Sequence, residues 1–219
     1  MSATTEAMSF APPNPPSVGG EFQESLPLKL RLSPALNLSS DQFFEIAAQN
    51  EMLRLERTAD GELLIMAPAG AESSSFNVEV IVQVAIWSAT IGGGKVFDSS
   101  AGFLLPNGAT RSPDVSWISE ENLSQVTEEQ LRKYPPIAPD FVAEIISPSD
   151  SVKQTMEKMT EYVSNGVRFG IMLNPRNFSA SVYRPNANPI VLQNPANVSC
   201  EPELAGLILD MNKVWPRPQ

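Results

Sequence analysis

Phe141-Val142-Ala143-Glu144-Ile145-Ile146-Ser147-Pro148 decides how this chain reads. Apart from its glutamate, the first part of the stretch is a continuous apolar run ended by a Ser-Pro turn signal, the pattern of a buried β-strand. An ionised carboxylate in such a strand is costly unless it is paired or bound to a metal. A second acid, Asp114, opens another apolar strand, Pro113-Asp114-Val115-Ser116-Trp117-Ile118. Beyond Glu144, the next helix carries Lys158. Two carboxylates on neighbouring strands, followed by a helical lysine, form the constellation of a metal-dependent phosphodiesterase. A buried carboxylate satisfied by an arginine or by backbone amides is the plainer alternative. Glu144 alone fits both readings, and Asp114 with Lys158 favours the metal site.

Composition narrows the chemistry. The chain has 219 residues with a hydrophobic fraction of 42 %, which suits one domain plus a tail. It contains no histidine and a single cysteine, Cys200. Ser-His-Asp and Cys-His catalysis in their usual forms are therefore excluded, as are zinc sites built on histidine. Hydrolysis by this chain must rest on carboxylates, lysine and a hard cation held by oxygens. One cysteine forms no intrachain disulfide, which fits the cytoplasm. No unbroken apolar run of membrane-spanning length and no leader peptide are evident, so a soluble protein without membrane partners is expected. The net charge of −10 argues against a generic nucleic-acid binder, though not against a nuclease with a local basic groove.

Residues 1–27, rich in proline, read as a mobile arm, and residues 28–219 as one domain. Ser39-Ser40-Asp41 caps a helix running to about Gln49. Leu53–Arg57 and Glu62–Met66 make a β-hairpin, with Asp60-Gly61 as a type I′ turn. Residues 73–91 carry both periodicities. Val78, Val80, Val82 and Val84 alternate like a strand, while Val78, Ile81, Val82, Ala85 and Ala89 repeat like a helix. Their length and the Gly92-Gly93-Gly94 stop favour the helix. Short strands follow near Lys95–Asp98 and Gly102–Leu105. A short helix spans Thr127–Tyr134. Ser151-Val152-Lys153-Gln154 matches a capping box and opens a helix whose apolar stripe is Val152, Met156, Met159 and Val163. Arg168–Asn174 is a central strand and Ala180–Arg184 another. The sum is an α/β (α+β) layer around one central sheet.

Arg111-Ser112-Pro113-Asp114-Val115, Pro139-Asp140 through Ser149-Asp150-Ser151, and Lys158-Met159-Thr160-Glu161-Tyr162 through Val167 together resemble the Uma-type endonucleases of bacteria, within the PD-(D/E)xK nuclease superfamily. The resemblance covers roughly residues 38–215. It implies a restriction-endonuclease-like fold, with a central mixed sheet flanked by helices and an N-terminal hairpin, and Mg²⁺-dependent cleavage of DNA, with Mn²⁺ as a substitute. Asp114 and Glu144 match the metal-binding acids, and the carbonyl of Ile145 a third ligand. The superfamily lysine sits two residues after the glutamate, where this chain has Ile146. Lys158 on the next helix would then supply the ammonium. Because Lys158 lies off the apolar stripe, a solvated surface lysine is the competing reading, and Lys153 a weaker substitute. Glu72, Asn77 and Glu79 are candidates for an added ligand from the first long helix, though each also reads as surface. Trp87, Trp117 and Tyr162 read as core. Superfamily nucleases that cut both strands commonly act as dimers, so a homodimer or higher homo-oligomer is expected. A nuclease-fold module that has lost catalysis and serves in binding or assembly is the second functional hypothesis.

Overall fold

A computed structural model describes residues 27–66 and 70–215. The expected proline-rich arm thus lies outside the described residues except for Pro27. From the N-terminus come β1 (Leu28–Leu30), α1 (Ser40–Gln49), β2 (Arg54–Arg57), β3 (Leu63–Met66) and α2 (Ala71–Trp87), which a π-helical turn extends over Ser88–Gly92. Then follow β4 (Lys95–Asp98), β5 (Phe103–Leu104), β6 (Thr110–Arg111), β7 (Val115–Ile118), α3 (Glu120–Leu123), α4 (Glu128–Leu131) and β8 (Phe141–Ile145). The chain continues with α5 (Val152–Ser164), β9 (Phe169–Asn174), β10 (Ser179–Tyr183), β11 (Ile190–Gln193), β12 (Asn197–Ser199), β13 (Ile208–Asp210) and α6 (Met211–Val214).

Two larger sheets and a two-stranded pair, β12–β13, organise these elements. A six-stranded sheet runs β11-β10-β9-β8-β7-β4, and a five-stranded sheet runs β1-β3-β2-β6-β5. The expected N-terminal hairpin, β2–β3, is therefore the middle of a second sheet. In the larger sheet β8 and β9 pair in parallel while their neighbours are antiparallel, so the sheet is mixed. A parallel pair needs a crossover, and α5 supplies it. Alternate residues of β8 face opposite layers. Phe141, Ala143 and Ile145 pack toward Val80, Val84 and Trp87 of α2. Val142 and Ile146 pack toward Met159 and Tyr162 of α5. Glu144 shares this second face.

The local chemistry explains the elements, and in places corrects the sequence reading. Ser39 caps α1 through a complete capping box with Gln42. The β2–β3 turn is not type I′, which needs positive φ at both central residues. Gly61 has φ +79° and Asp60 is not in that region, while the Gly61 N–H donates to Thr58 O at 3.0 Å. This is the longer loop with a glycine bulge. In α2 the four valines that mimic a strand divide between two faces. Val80 and Val84 are fully buried, whereas Val78 and Val82 are 52 % and 45 % exposed. One-sided burial of that kind is helical. With its π turn, α2 is long and apolar enough in composition to cross a membrane, but its inner face packs on the sheet. On α5 only one arm of the expected capping box is present, the Gln154 N–H donating to Ser151 Oγ. Its apolar stripe is also not the one expected. Val152 and Met156 are 37 % and 44 % exposed, and the inward line runs Thr155, Lys158, Met159, Tyr162.

Asp140 fixes the far end of β8. Its buried carboxylate accepts from the Ser119 N–H at 2.8 Å, Asn122 Nδ2 at 2.8 Å and Arg168 Nη1 at 3.3 Å. These contacts tie β8 to α3 and to the residue before β9. Truncation would orphan three donors, each costly to leave unmade. Asp140→Ala should lower the unfolding free energy by on the order of 3 kcal/mol, read as a fall in urea midpoint at unchanged slope. A midpoint equal to that of the wild type would contradict this role.

Candidate active site

Three layers meet at one cleft. Its floor is a face of the smaller sheet. In β2 alternate side chains share a face, so Arg54 and Glu56 point one way while Leu55 and Arg57 point toward α1. The register Arg54↔Met66 and Glu56↔Leu64 adds two apolar residues to the floor. The walls are the start of α2, the carboxyl end of β8 and the inner line of α5. The cleft encloses about 530 Å³ and is lined by Arg54, Glu56, Arg111, Asp114, Glu144, Ile145 and Lys158, among others.

The structure brings Asp114, Glu144, Ile145 and Lys158 together. The β7–β8 register pairs Val115 with Ala143, and one further step sets Asp114 opposite Glu144. Asp114 Oδ2 accepts the Ile145 N–H at 2.9 Å. Lys158 Nζ lies 2.8 Å from Glu144 Oε1, to which the Tyr162 hydroxyl also donates at 3.0 Å. Lys158 is therefore not a solvated lysine, its side chain being 13 % exposed. Its stem follows the inner line of α5 and its ammonium ends in the cleft.

A residue that sequence reasoning missed completes this arrangement. Glu56 is buried on β2, and its Oε1 is 2.8 Å from Lys158 Nζ while its Oε2 is 3.0 Å from Arg111 Nη1. Its Oε1 also accepts the Ser112 N–H at 3.0 Å. Arg111 Nε continues to Glu161 Oε2 at 2.6 Å. The result is an alternating chain, Glu161–Arg111–Glu56–Lys158–Glu144, that joins both sheets to α5. The buried glutamate held by an arginine, which the sequence offered as an alternative for Glu144, is Glu56. Nothing in Leu53-Arg54-Leu55-Glu56-Arg57 distinguishes it from an exposed hairpin glutamate.

The other candidates fall differently. Asn77 lines the cleft with a buried Oδ1 that has no partner among the described residues, and Ser73, one turn earlier, lines it too. Glu72 is exposed, and neither it nor Glu79 lines the cleft. Lys153 points to solvent, 3.9 Å from Glu157. Trp87, Trp117 and Tyr162 are buried.

The electrostatics divide the acids. Burial alone would raise Glu56, but Lys158 and Arg111 more than reverse it and hold the carboxyl at about 2. Glu144 goes the other way. Burial pushes it up to about 7 despite Lys158, with Asp114 and Glu56 adding repulsion. Burial also raises Asp114. Burial would lower Lys158, yet Glu144 and Glu56 hold it above the ordinary lysine range, so it stays protonated. Acids outnumber the cation at this point, and an added positive charge would relieve them. Asp114 Oδ1 and Glu144 Oε2 accept no hydrogen bond from the described residues. The Ile145 carbonyl leaves its strand on the same side as the N–H that meets Asp114. These oxygens fit a hard divalent cation. No group of three or more His, Cys, Asp or Glu suited to a metal exists among the described residues. The fit is therefore to an ion that keeps most of its water, as Mg²⁺ does.

The fold agrees with what the chain is similar to. A family model described as Uma2, putative restriction endonuclease, matches residues 40–212, and the chain belongs to that family. Among solved structures, a putative nuclease of the DUF820 group from Anabaena variabilis superposes with a TM-score of 0.62 at 19 % identity, over 74 % of this chain and 89 % of that one. At that identity the likeness shows the shared fold. No curated protein matches the chain by sequence.

The raised Glu144 carboxyl makes stability depend on pH. The unfolded chain releases this proton near 4.5 and the folded one near 7, so the fold binds more protons between those values. The stabilisation this gives is fully present below about pH 4.5 and is lost as pH rises through about 7. In chelator, Glu144→Gln should therefore gain on the wild type by about 3 kcal/mol between those limits. Parallel pH–stability curves for the two proteins would show that Glu144 is ionised throughout.

Proposed function

We propose that the protein is a divalent-cation-dependent endodeoxyribonuclease, a single nuclease-like domain from residue 28 onward. The convergence of Asp114, Glu144 and Lys158 on one cleft, with free carboxylate oxygens facing it, carries the reading. Asp114, Glu144 and the carbonyl of Ile145 would hold Mg²⁺, or Mn²⁺ in its place. When bound, such an ion polarises the phosphate and lowers the pKa of its own water.

The chain's own groups account for the rest. Lys158 keeps its proton, so its part is to neutralise charge developing on the phosphate oxygens and not to act as a general base. Glu56 positions it, since one ammonium between two carboxylates cannot swing away. Arg111 keeps Glu56 ionised and Glu161 keeps Arg111 in place. The family's description as restriction endonucleases supports DNA as the nucleic acid it acts on. A homo-oligomer is supported by the outward apolar line of Val78, Val82 and Ile86 on α2.

The test uses supercoiled plasmid with Mg²⁺ or Mn²⁺. Wild-type protein should nick and linearise it, and chelator should stop the reaction. Asp114→Asn, Glu144→Gln and Lys158→Met should each reduce the rate by at least about a hundredfold. A folded wild type that binds DNA but leaves the plasmid intact with either ion would favour the non-catalytic module instead.

A further inference from the structure

We propose that Arg54 binds the substrate phosphodiester beside Asp114 and Glu144, its guanidinium taking the non-bridging oxygens of the strand in the cleft. The inference rests on the nuclease reading and adds a substrate-binding group to it. Arg54 and Glu56 lie two residues apart on the same face of β2, yet their states differ. Glu56 is satisfied by Lys158, Arg111 and the Ser112 N–H. Arg54 Nε is buried and has no partner among the described residues. The nearest carboxylate oxygen, Asp114 Oδ1, is 3.8 Å from Arg54 Nη2, beyond hydrogen-bond length. Other partly buried arginines are engaged. Arg57 donates to Leu38 O and Gly108 O, Arg111 to Glu56 and Glu161, and Arg184 to Glu203 and Glu201 O. A buried N–H without a partner is costly, so its retention on the cleft floor points to a partner that arrives with the ligand.

Position supports the same role. A second cleft of about 530 Å³ shares part of β2 with the first, with Phe44, Phe97 and Tyr134 among its lining residues. Arg54, Glu56 and Met66 line both clefts. Of these, only Arg54 is cationic, and it offers free donors. The planar fork of arginine matches two phosphate oxygens, and a chain of net charge −10 needs such local cations to hold a polyanion.

The experiment measures binding of a fluorescently labelled DNA duplex in Ca²⁺ across a salt series, together with plasmid cleavage in Mg²⁺. Arg54→Met should weaken binding about tenfold and flatten the salt slope by about one phosphate contact. Arg54→Lys should restore the slope but not the affinity, because a point charge does not replace the fork. In cleavage, KM should rise while kcat holds within about threefold. Lys153→Met, which removes an exposed cation outside the cleft, should leave affinity and slope unchanged. If wild type binds and cleaves while Arg54→Met matches it in affinity, slope and KM, Arg54 serves only as a counter-charge to Asp114 and the assignment fails alone. If wild type binds no DNA, the nuclease reading fails and this assignment with it.

Discussion

One ammonium group joins the layers of this protein. Lys158 Nζ sits 2.8 Å from a carboxylate of each sheet, Glu56 on β2 and Glu144 on β8, and its own helix covers the larger sheet. A buried cation with two carboxylates is tolerated only when geometry and further hydrogen bonds compensate the lost hydration. Here Arg111, the Ser112 N–H and the Tyr162 hydroxyl make up the difference. Removing Lys158 or Arg111 would leave Glu56 a buried anion short of one of its two cations. The cleft therefore exists because the charge chain holds the smaller sheet, the larger sheet and α5 together.

The same interaction sets the chemistry. Glu56, satisfied twice by cations, is a fixed anion whose role is placement. Burial pushes the Glu144 carboxyl up, the one cation it shares with Glu56 does not reverse this, Asp114 adds repulsion, and its second oxygen stays free. A site with surplus acid and open oxygens favours a divalent ion over further protein partners. The absence of histidine is no obstacle to such a mechanism, since proton transfer can proceed through water.

Much of this was legible before the structure. The apolar strand around Glu144, the Asp114 strand, the cap at Ser39 and the α2 helix all carry strong local signals. The rest was hidden for physical reasons. The inner line of α5 contains a lysine, so a hydrophobic stripe drawn through Val152 and Met156 points the wrong way. Those two residues stay exposed beside the cleft while Lys158 buries its stem. Glu56 was invisible because its burial is set by Arg111 and Lys158, which lie 55 and 102 residues away in the chain. Long-range charge pairing leaves no periodicity to read. Asp60-Gly61 looked like a two-residue turn, but the loop closes from Thr58 and needs positive φ only at the glycine.

The central claim is that Asp114 and Glu144 form one cation site whose surplus negative charge a divalent ion relieves. Calorimetric titration of the protein with Mn²⁺ at pH 6.5, in buffers of differing ionisation enthalpy, tests it most directly. The account predicts one ion per chain, with proton release as the Glu144 carboxyl, raised to about 7, gives up its proton. Glu144→Gln should bind far more weakly and release no proton. Wild-type protein that takes up no Mn²⁺, or binds it equally well as Glu144→Gln, would contradict the account.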